Sequence, residues 1–293
     1  MLPVWPICNN SDTVNISFEK FHALGNDFLV IEASRLKLSR RRMAAFSRHA
    51  CERRSGVGAD GIVLLSTSKK ADRKVDIFNA DGTWAEKSGN GLRIAATYLA
   101  GGSGRKSSFH LETGTSIDPV TLKRKLKAGW KVTAELAGPD FNASRVPVKT
   151  RRKFIINSTL KIAGIDLPVT CVAVGNPHTV IVVNDFDFDW KTVGADLEWA
   201  RPFPNGTNVE FVKILKRTKV RVAEWERGAG ATGSSGTGAA AVVCALAIQG
   251  LIDRKCKVEF PAGTLEVHWN PKTERVELTG PVVFVMKGSL SYP

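Results

Sequence analysis

Two segments of the sequence carry the same arrangement of small and polar residues before an apolar run. One reads Ser88-Gly89-Asn90-Gly91 and the other Ser235-Gly236-Thr237-Gly238, with the serines 147 residues apart. Each predicts a helix start, where unpaired N–H groups and a partial positive charge are available. Glycine there lets a ligand approach the backbone. Two such ends in one cleft would bind a carboxylate or phosphate, but not as a P-loop, because no Lys-Ser/Thr follows the glycines.

Either motif alone is more simply explained as a helix cap, since serine is a preferred N-cap residue. Its duplication favours a functional interpretation. Polar residues nearby add chemistry: Arg227 could hold a carboxylate with two hydrogen bonds, Glu226 could act as a base and His178 could transfer protons. Taken singly, these residues would be a surface ion pair of little energetic weight and a hydrogen-bonded histidine at a strand end.

The elements that must position these residues are mostly strands. Short apolar runs separated by Gly, Asn and Asp predict many strands, ending with Arg275–Leu278 and Val282–Met286. Helices are predicted at Ser39–Ser55, Gly89–Ala100, Phe188–Ala195 and Gly236–Leu251. So many closely spaced strands exclude a doubly wound α/β fold and indicate an α+β chain.

A second pair of similar segments supports an internal repeat. Gly25-Asn26-Asp27 and Gly175-Asn176-Pro177 lie 150 residues apart, in the same order as the serine motifs. The helices after Ser88 and Ser235 are apolar around their circumference and therefore buried. We expect two pseudo-symmetric domains, each a curled, mostly antiparallel sheet around a central helix, with the site in the cleft between them. The predicted halves are 14–140 and 141–280, after a loose extension at 1–13.

Composition limits the function classes. The chain has 293 residues, 43% of them hydrophobic, and a formal charge of +14, so it is not disordered and favours anionic partners. Five scattered cysteines without a CxxC pair predict neither a disulfide framework nor a metal site, and a reducing cytoplasm fits best. The longest apolar run, Ala239–Ile248, is too short to cross a bilayer, and the first residues do not resemble a signal peptide. We expect a cytoplasmic protein without a membrane partner.

Nucleic-acid binding is the interpretation that the charge alone suggests. The basic runs Arg40–Arg42, Lys123–Lys125 and Arg151–Lys153 are short, scattered over both halves and free of interleaved aromatic residues. Solvated lysines and arginines explain them better, so a nucleic-acid partner is disfavoured.

A set of ordered motifs covers most of the chain: Phe18–Phe28, Gly56–Gly61, Phe78–Gly82, Gly89–Arg93, Gly175–His178, Thr207–Val209, Glu226–Gly230, Gly236–Gly238 and Pro261–Gly263. Through these motifs the chain resembles the diaminopimelate epimerase family from Phe18 to Lys287. The resemblance implies a cofactor-independent (PLP-independent) isomerase that converts LL-diaminopimelate to the meso form by two-base proton transfer at the α-carbon. It also implies lysine biosynthesis, a small acidic amino-acid substrate such as diaminopimelate, and a terminal strand, 281–293, that returns to the first half. A homodimer is left open.

The resemblance also assigns residues. The acid/base group would be Ser88, Ser235, His178 and Glu226. The substrate would be held by Asn26, Asn79, Gly89, Asn90, Asn176, Asn208, Arg227, Gly236 and Thr237.

The chain departs from the family at the two proton-transfer positions, where Ser88 and Ser235 replace cysteines. A thiol titrates near pH 8.5 and readily forms a thiolate at a helix N-terminus, whereas a serine hydroxyl stays neutral unless a base takes its proton. Ala231, Lys87 and Trp84 also differ from the family pattern. Two hypotheses therefore stay open: an amino-acid epimerase or racemase using Glu226, His178 or hydroxyl relays, and a non-catalytic binding or regulatory protein that keeps the carboxylate cradle.

Overall fold

The computed structural model describes residues 14–36, 38–85, 87–103, 106–114, 116–162 and 165–292. The predicted extension at 1–13 lies outside them. The first half contains β1 (Val14–Ala23), β2 (Asn26–Glu32), α1 (Arg40–Cys51), β3 (Gly61–Ser66), β4 (Arg73–Asn79), β5 (Trp84–Ala85), α2 (Gly89–Ser103), β6 (Ser108–Glu112), β7 (Ile117–Leu126) and β8 (Gly129–Leu136). The second contains β9 (Ser158–Ile162), β10 (Ile165–Ala173), β11 (Pro177–Val182), α3 (Trp190–Glu198), β12 (Asn208–Lys216), β13 (Lys219–Glu226), β14 (Gly230–Ala231), α4 (Gly236–Ile248), β15 (Lys255–Phe260), β16 (Gly263–Trp269) and β17 (Val276–Tyr292).

The two halves repeat one order of elements. Apart from the added strand β9, each runs strand, strand, outer helix, three strands, inner helix, three strands. The parallel pairs recur too, because β2 pairs with β3 as β11 pairs with β12, and β4 with β6 as β13 with β15. The α+β class and its repeat are therefore confirmed.

The last strand belongs to both sheets. Residues 276–283 of β17 pair with β8, residues 276–279 also pair with β16, and residues 283–292 pair with β1. In the first half this closes a ring of β1, β2, β3, β4, β6, β7, β8 and β17. The sequence predicted two strands here, since Gly280-Pro281 resembled a break, but continuous pairing with β8 keeps the chain extended through Pro281. The sequence also missed β7, whose charged end concealed the apolar pattern.

Each sheet wraps an apolar helix. Helix α4 is buried from Ala239 to Leu246 among the second half's strands, and α2 is buried through Leu92, Ile94 and Ala95 in the first. Helices α1 and α3 pack on the outer faces. No helix in the described ranges is long and apolar enough to cross a membrane.

The two inner helices begin against the same side chain. A Cβ placed on Gly89 would lie 3.1 Å from Leu278 Cδ2, and one on Gly236 would lie 2.8 Å from that atom. Leu278 lies on the shared strand β17. Glycine at both positions lets the two helix N-termini approach one methyl group, so the predicted convergence of the motifs is a property of the fold.

Candidate functional site

The start of α2 is capped by Ser88. Its Oγ accepts a hydrogen bond of 3.1 Å from the Gly91 N–H, and the first intrahelical bond runs from the Leu92 N–H to the Ser88 carbonyl. Serine suits this position because its oxygen satisfies one of the unpaired N–H groups of the first turn. The N–H groups of Gly89 and Asn90 remain for a ligand.

The start of α4 is built in the same way. Ser235 Oγ accepts from the Gly238 N–H at 3.1 Å, and the Ala239 N–H donates to the Ser235 carbonyl. The Thr237 hydroxyl lies 3.5 Å from Ser235 Oγ. Because Ser235 takes the Gly238 N–H, the N–H groups of Gly236 and Thr237 are the ones left over. These four remaining groups are the ones that the family resemblance assigned to the substrate.

A chain of side chains orients the two asparagines of the first half. Buried Arg93 donates to Asn90 Oδ1, Asn90 Nδ2 donates to Asn26 Oδ1 at 2.9 Å, and Asn26 Nδ2 donates to Asp60 Oδ2 at 2.9 Å. Burial lowers the pKa of Arg93 to about 10, so the guanidinium remains charged at neutral pH. Each amide then has one N–H that takes no part in these bonds.

The halves meet at these helix starts. Ser234 Oγ of the second half donates a hydrogen bond of 3.2 Å to the Leu24 carbonyl of the first half. The charge of Asp60 contributes to raising the pKa of Glu226, although burial of Glu226 is the larger cause. Residues from the two halves therefore lie next to each other at the helix starts.

Three neighbouring strands supply the second half's polar groups. In the register of β11, β12 and β13, His178 lies beside Asn208, and Glu210 lies directly opposite Glu224. Side chains alternate along a strand, so Glu224 and Glu226 share one face of β13. His178, Glu210 and Glu224 are all buried.

His178 is held on both ring nitrogens. Its Nδ1 is 2.5 Å from Glu210 Oε1, and its Nε2 is 2.8 Å from Asn176 Oδ1. Burial lowers its pKa to about 3. A neutral ring with both nitrogens occupied is better suited to positioning Asn176 than to transferring a proton, which differs from the acid/base role expected from the resemblance.

Asn208 and Arg227 lie close together, at the start of β12 and just after the end of β13. Asn208 Nδ2 donates to the Pro177 carbonyl at 2.8 Å, and its Oδ1 accepts from the Arg227 N–H at 2.9 Å. The exposed Arg227 guanidinium donates to the Asn205 carbonyl at 2.9 Å and has further N–H groups free for a ligand. Glu226 accepts a 2.6 Å hydrogen bond from Thr232.

Asn79 is the predicted site residue least connected to the others. Its Nδ2 donates to Thr83 Oγ1 in its own turn at 2.9 Å. Within the described ranges, no hydrogen bond joins its side chain to another predicted site residue. Trp84 is partly buried against the apolar cluster that contains Met43 and Phe46 of α1, and its Nε1 donates a hydrogen bond of 3.3 Å to Asp76.

The pair Glu210 and Glu224 was missed at the sequence level. Both carboxyls are fully buried, and burial raises the pKa of each well above 4.5, with the charge of Glu226 adding to the effect. Like charges opposite each other in a sheet are unfavourable, so the pair disfavours the state in which both carboxyls are ionised. Period-2 alternation with Glu226 was the available signal for Glu224.

These buried groups are also where a cation could be held. Ligand atoms of His178, Glu210 and Glu224 lie within 4.8 Å of one another. The hydrogen bond between His178 and Glu210 already joins two of them, and the absence of a metal stays a prediction.

Stability should depend on pH through Glu224. Its pKa is raised in the folded protein, so the unfolded chain releases a proton first, and the free energy of unfolding should fall as pH rises above 4.5. Glu224→Gln should remove this contribution. Its free energy of unfolding should therefore rise relative to that of the wild type by up to about 1.4 kcal/mol for each pH unit above 4.5, until the folded carboxyl ionises. Urea unfolding at each pH measures it. His178 contributes the opposite slope between about pH 3 and 6.5 in both proteins, so a constant difference would contradict the prediction.

The chain is similar in sequence to known proteins. The family model for diaminopimelate epimerase matches residues 18–132 and 170–285. The chain is 37% identical over 285 residues to a diaminopimelate epimerase of Microcystis aeruginosa, covering 94% of this chain and 99% of that protein. It is 38% identical over 277 residues to one of Carboxydothermus hydrogenoformans, covering 93% and 98%.

Solved structures share the fold at low sequence identity. A hydroxyproline epimerase from Agrobacterium vitis superposes with a TM-score of 0.67 at 14% identity, covering 95% of this chain and 91% of that one. A PhzF-family phenazine biosynthesis protein from Bacillus anthracis gives 0.63 at 17% identity, covering 94% and 99%.

Proposed function

This chain belongs to the diaminopimelate epimerase family, and on that premise we propose that it binds an acidic amino acid such as diaminopimelate in the cleft and moves its α-proton through the hydroxyls of Ser88 and Ser235. Membership places the chain among the isomerases. The observation that carries the proposal is the convergence of two serine-capped helix starts on Leu278. A planar α-carbon between two such hydroxyls could lose a proton on one face and gain one on the other.

The substrate's carboxylate would be held by backbone and cation together. The N–H groups of Gly89, Asn90, Gly236 and Thr237 point from the positive ends of two helices, and Arg227 adds a guanidinium. The amides of Asn26, Asn90, Asn176 and Asn208 would fix the amino end, with Asn79 nearby. This binding stabilises the carbanion that forms when the proton leaves, since charge moves into the carboxylate.

The proton step would use each hydroxyl as a relay. On one face, the C–H bond breaks as the proton passes to serine Oγ, and the serine's own proton passes to a base. On the other face, the second serine gives its proton to the carbon and is reprotonated. Neither hydroxyl becomes a free alkoxide, so the high acidity that serine lacks is not required.

Solvent-exchange measurements test this proposal. In D2O, the wild type should slowly introduce deuterium at the α-carbon of diaminopimelate, as followed by NMR, because any α-proton removed is replaced from solvent. Ser88→Ala with Ser235→Ala should abolish the exchange. Absence of exchange with diaminopimelate and every other amino acid tested would contradict catalysis.

A second candidate is a binding or regulatory protein. It is favoured by the hydrogen bonds from Gly91 and Gly238, because they show both serines already satisfied as helix caps. Calorimetry separates the candidates: binding of diaminopimelate without exchange supports this one, and binding with exchange supports the epimerase.

A further inference from the structure

The Glu224 carboxyl is buried outside the hydrogen-bond networks that the described residues form. Glu224 is on β13, 1% exposed, with its carboxyl against the first turn of α4. A Cβ on Gly238 would lie 2.4 Å from Oε1 and 2.9 Å from Oε2. Only glycine at position 238 leaves room for the carboxyl there.

The Glu224 carboxyl also lacks partners. Neither oxygen has a hydrogen-bond partner of normal geometry among the described residues. Burial and the charges of Glu226 and Glu210 raise the pKa of Glu224. The nearby Ser235 side chain lowers it in part, as a hydrogen-bond donor to the carboxyl does. Ser235 Oγ uses a lone pair to accept from Gly238, so its own hydrogen is available to donate. A buried carboxyl without partners needs such a donor.

We propose that Glu224 is the proton acceptor behind Ser235, so that hydroxyl and carboxyl form one relay on the α4 side of the cleft. The inference rests on the proposed function and names the base for one of its two faces. As the substrate C–H bond breaks, its proton goes to Ser235 Oγ, and the Ser235 proton goes to a Glu224 oxygen. In reverse, protonated Glu224 replaces the proton that Ser235 gives to the carbon. Protons and charge balance in both directions.

The neighbouring groups are less suited to this role. Both ring nitrogens of His178 are occupied, and Glu226 Oε1 is taken by Thr232. The titratable groups near Glu224 are His178 from β11, Glu210 from β12 and Glu226 from its own strand. The two acidic groups disfavour its charged form and so make it a stronger base once it ionises.

Exchange kinetics form the first arm of the test. Glu224→Gln should lower α-deuterium exchange about 10²-fold or more at pH 8, the scale of general-base catalysis, and should flatten the rise of the rate with pH. Gly238→Ala should lower it too, by displacing a carboxyl that is still present. Glu259→Gln, on neighbouring β15 and ion-paired with Lys219, is the matched control and should keep the wild-type rate. An unchanged rate in folded Glu224→Gln would overturn the inference.

Thiol titration forms the second arm and needs no turnover. In Ser235→Cys, alkylation by iodoacetamide against pH gives the pKa of the thiol at this position. Adding Glu224→Gln should lower that pKa, because a carboxylate beside a thiol disfavours the thiolate. In the Ser88→Cys, Ser235→Cys background, the same substitution should leave the exchange rate equal or raised, the reverse of its effect beside serine.

The outcomes separate the two proposals. Exchange by the wild type with an unshifted thiol pKa would overturn the relay and leave the proposed function standing. A shifted thiol pKa without any wild-type exchange would overturn the proposed function and the relay, leaving only a hydrogen-bonded pair. Exchange that EDTA abolishes and a divalent cation restores would assign Glu224 to a metal and overturn the relay.

Discussion

Replacing both Ser88 and Ser235 by cysteine is expected to raise the rate of α-proton exchange on diaminopimelate by about 10²- to 10⁴-fold, the span of an effective acid/base pair. Both positions lie at helix N-termini, whose partial positive charge favours a thiolate. A thiolate removes a proton directly, whereas each hydroxyl needs a base behind it. Deuterium incorporation and interconversion of the stereoisomers, followed by NMR, measure the gain.

The single variants are the controls for this experiment. Ser88→Cys or Ser235→Cys alone leaves one face with a hydroxyl, so exchange should rise more than stereochemical inversion does. Cys51, Cys171, Cys244 and Cys256, the cysteines among the described residues, are buried, and burial raises the pKa of each thiol, to about 12 for Cys171. The new thiols should therefore react with alkylating agents before these four. If the double variant binds substrate but exchanges no faster than wild type, serine is not what limits this site.

Replacing Arg227 by glutamine is expected to weaken binding of diaminopimelate by about 30- to 1000-fold, equivalent to the roughly 2–4 kcal/mol lost when one member of a charged pair is removed. The guanidinium is exposed at the cleft and donates to Asn205, while the backbone N–H of Arg227 is fixed by Asn208. Loss of the side chain thus removes charge without dismantling the loop. Calorimetric titration gives the ratio of dissociation constants.

Two further variants calibrate the Arg227 result. Arg227→Lys should recover only part of the affinity, because an ammonium cannot reproduce the planar two-donor geometry. Arg217→Gln removes an equal charge from an exposed pair with Asp253 and should leave binding unchanged. Equal losses at both positions would show that total charge, and not Arg227, attracts the ligand.

The repeat and the inner helices could be predicted from sequence because their signals are local. The paired Ser-Gly-X-Gly segments and the all-apolar run after Ser235 indicate two buried helices that begin in one place, and the structure places both starts against Leu278. The one-piece course of β17 could not be predicted. Gly280-Pro281 resembles a break, and only partners distant in sequence keep that segment extended.

The base behind Ser235 was hidden for a similar reason. Glu224 lies in an ordinary alternating strand, and its significance depends on register with Glu210 and on the glycine at 238. His178 shows the converse limit, because its residue type suggested proton transfer. The structure adds its partners, Glu210 and Asn176, which occupy both ring nitrogens and which the residue type could not predict.

Strand β17 also constrains how the chain reaches its native state. Val14 pairs with Tyr292, so the ring of the first half is closed by a strand that follows the whole second half in sequence. Contacts between residues far apart in sequence are slow to form. Until β17 is in place, β1 and β8 have open edges that are prone to mispairing. The first half therefore completes its folding only after the second half has been synthesised, and loss of β17 would leave both halves unfinished.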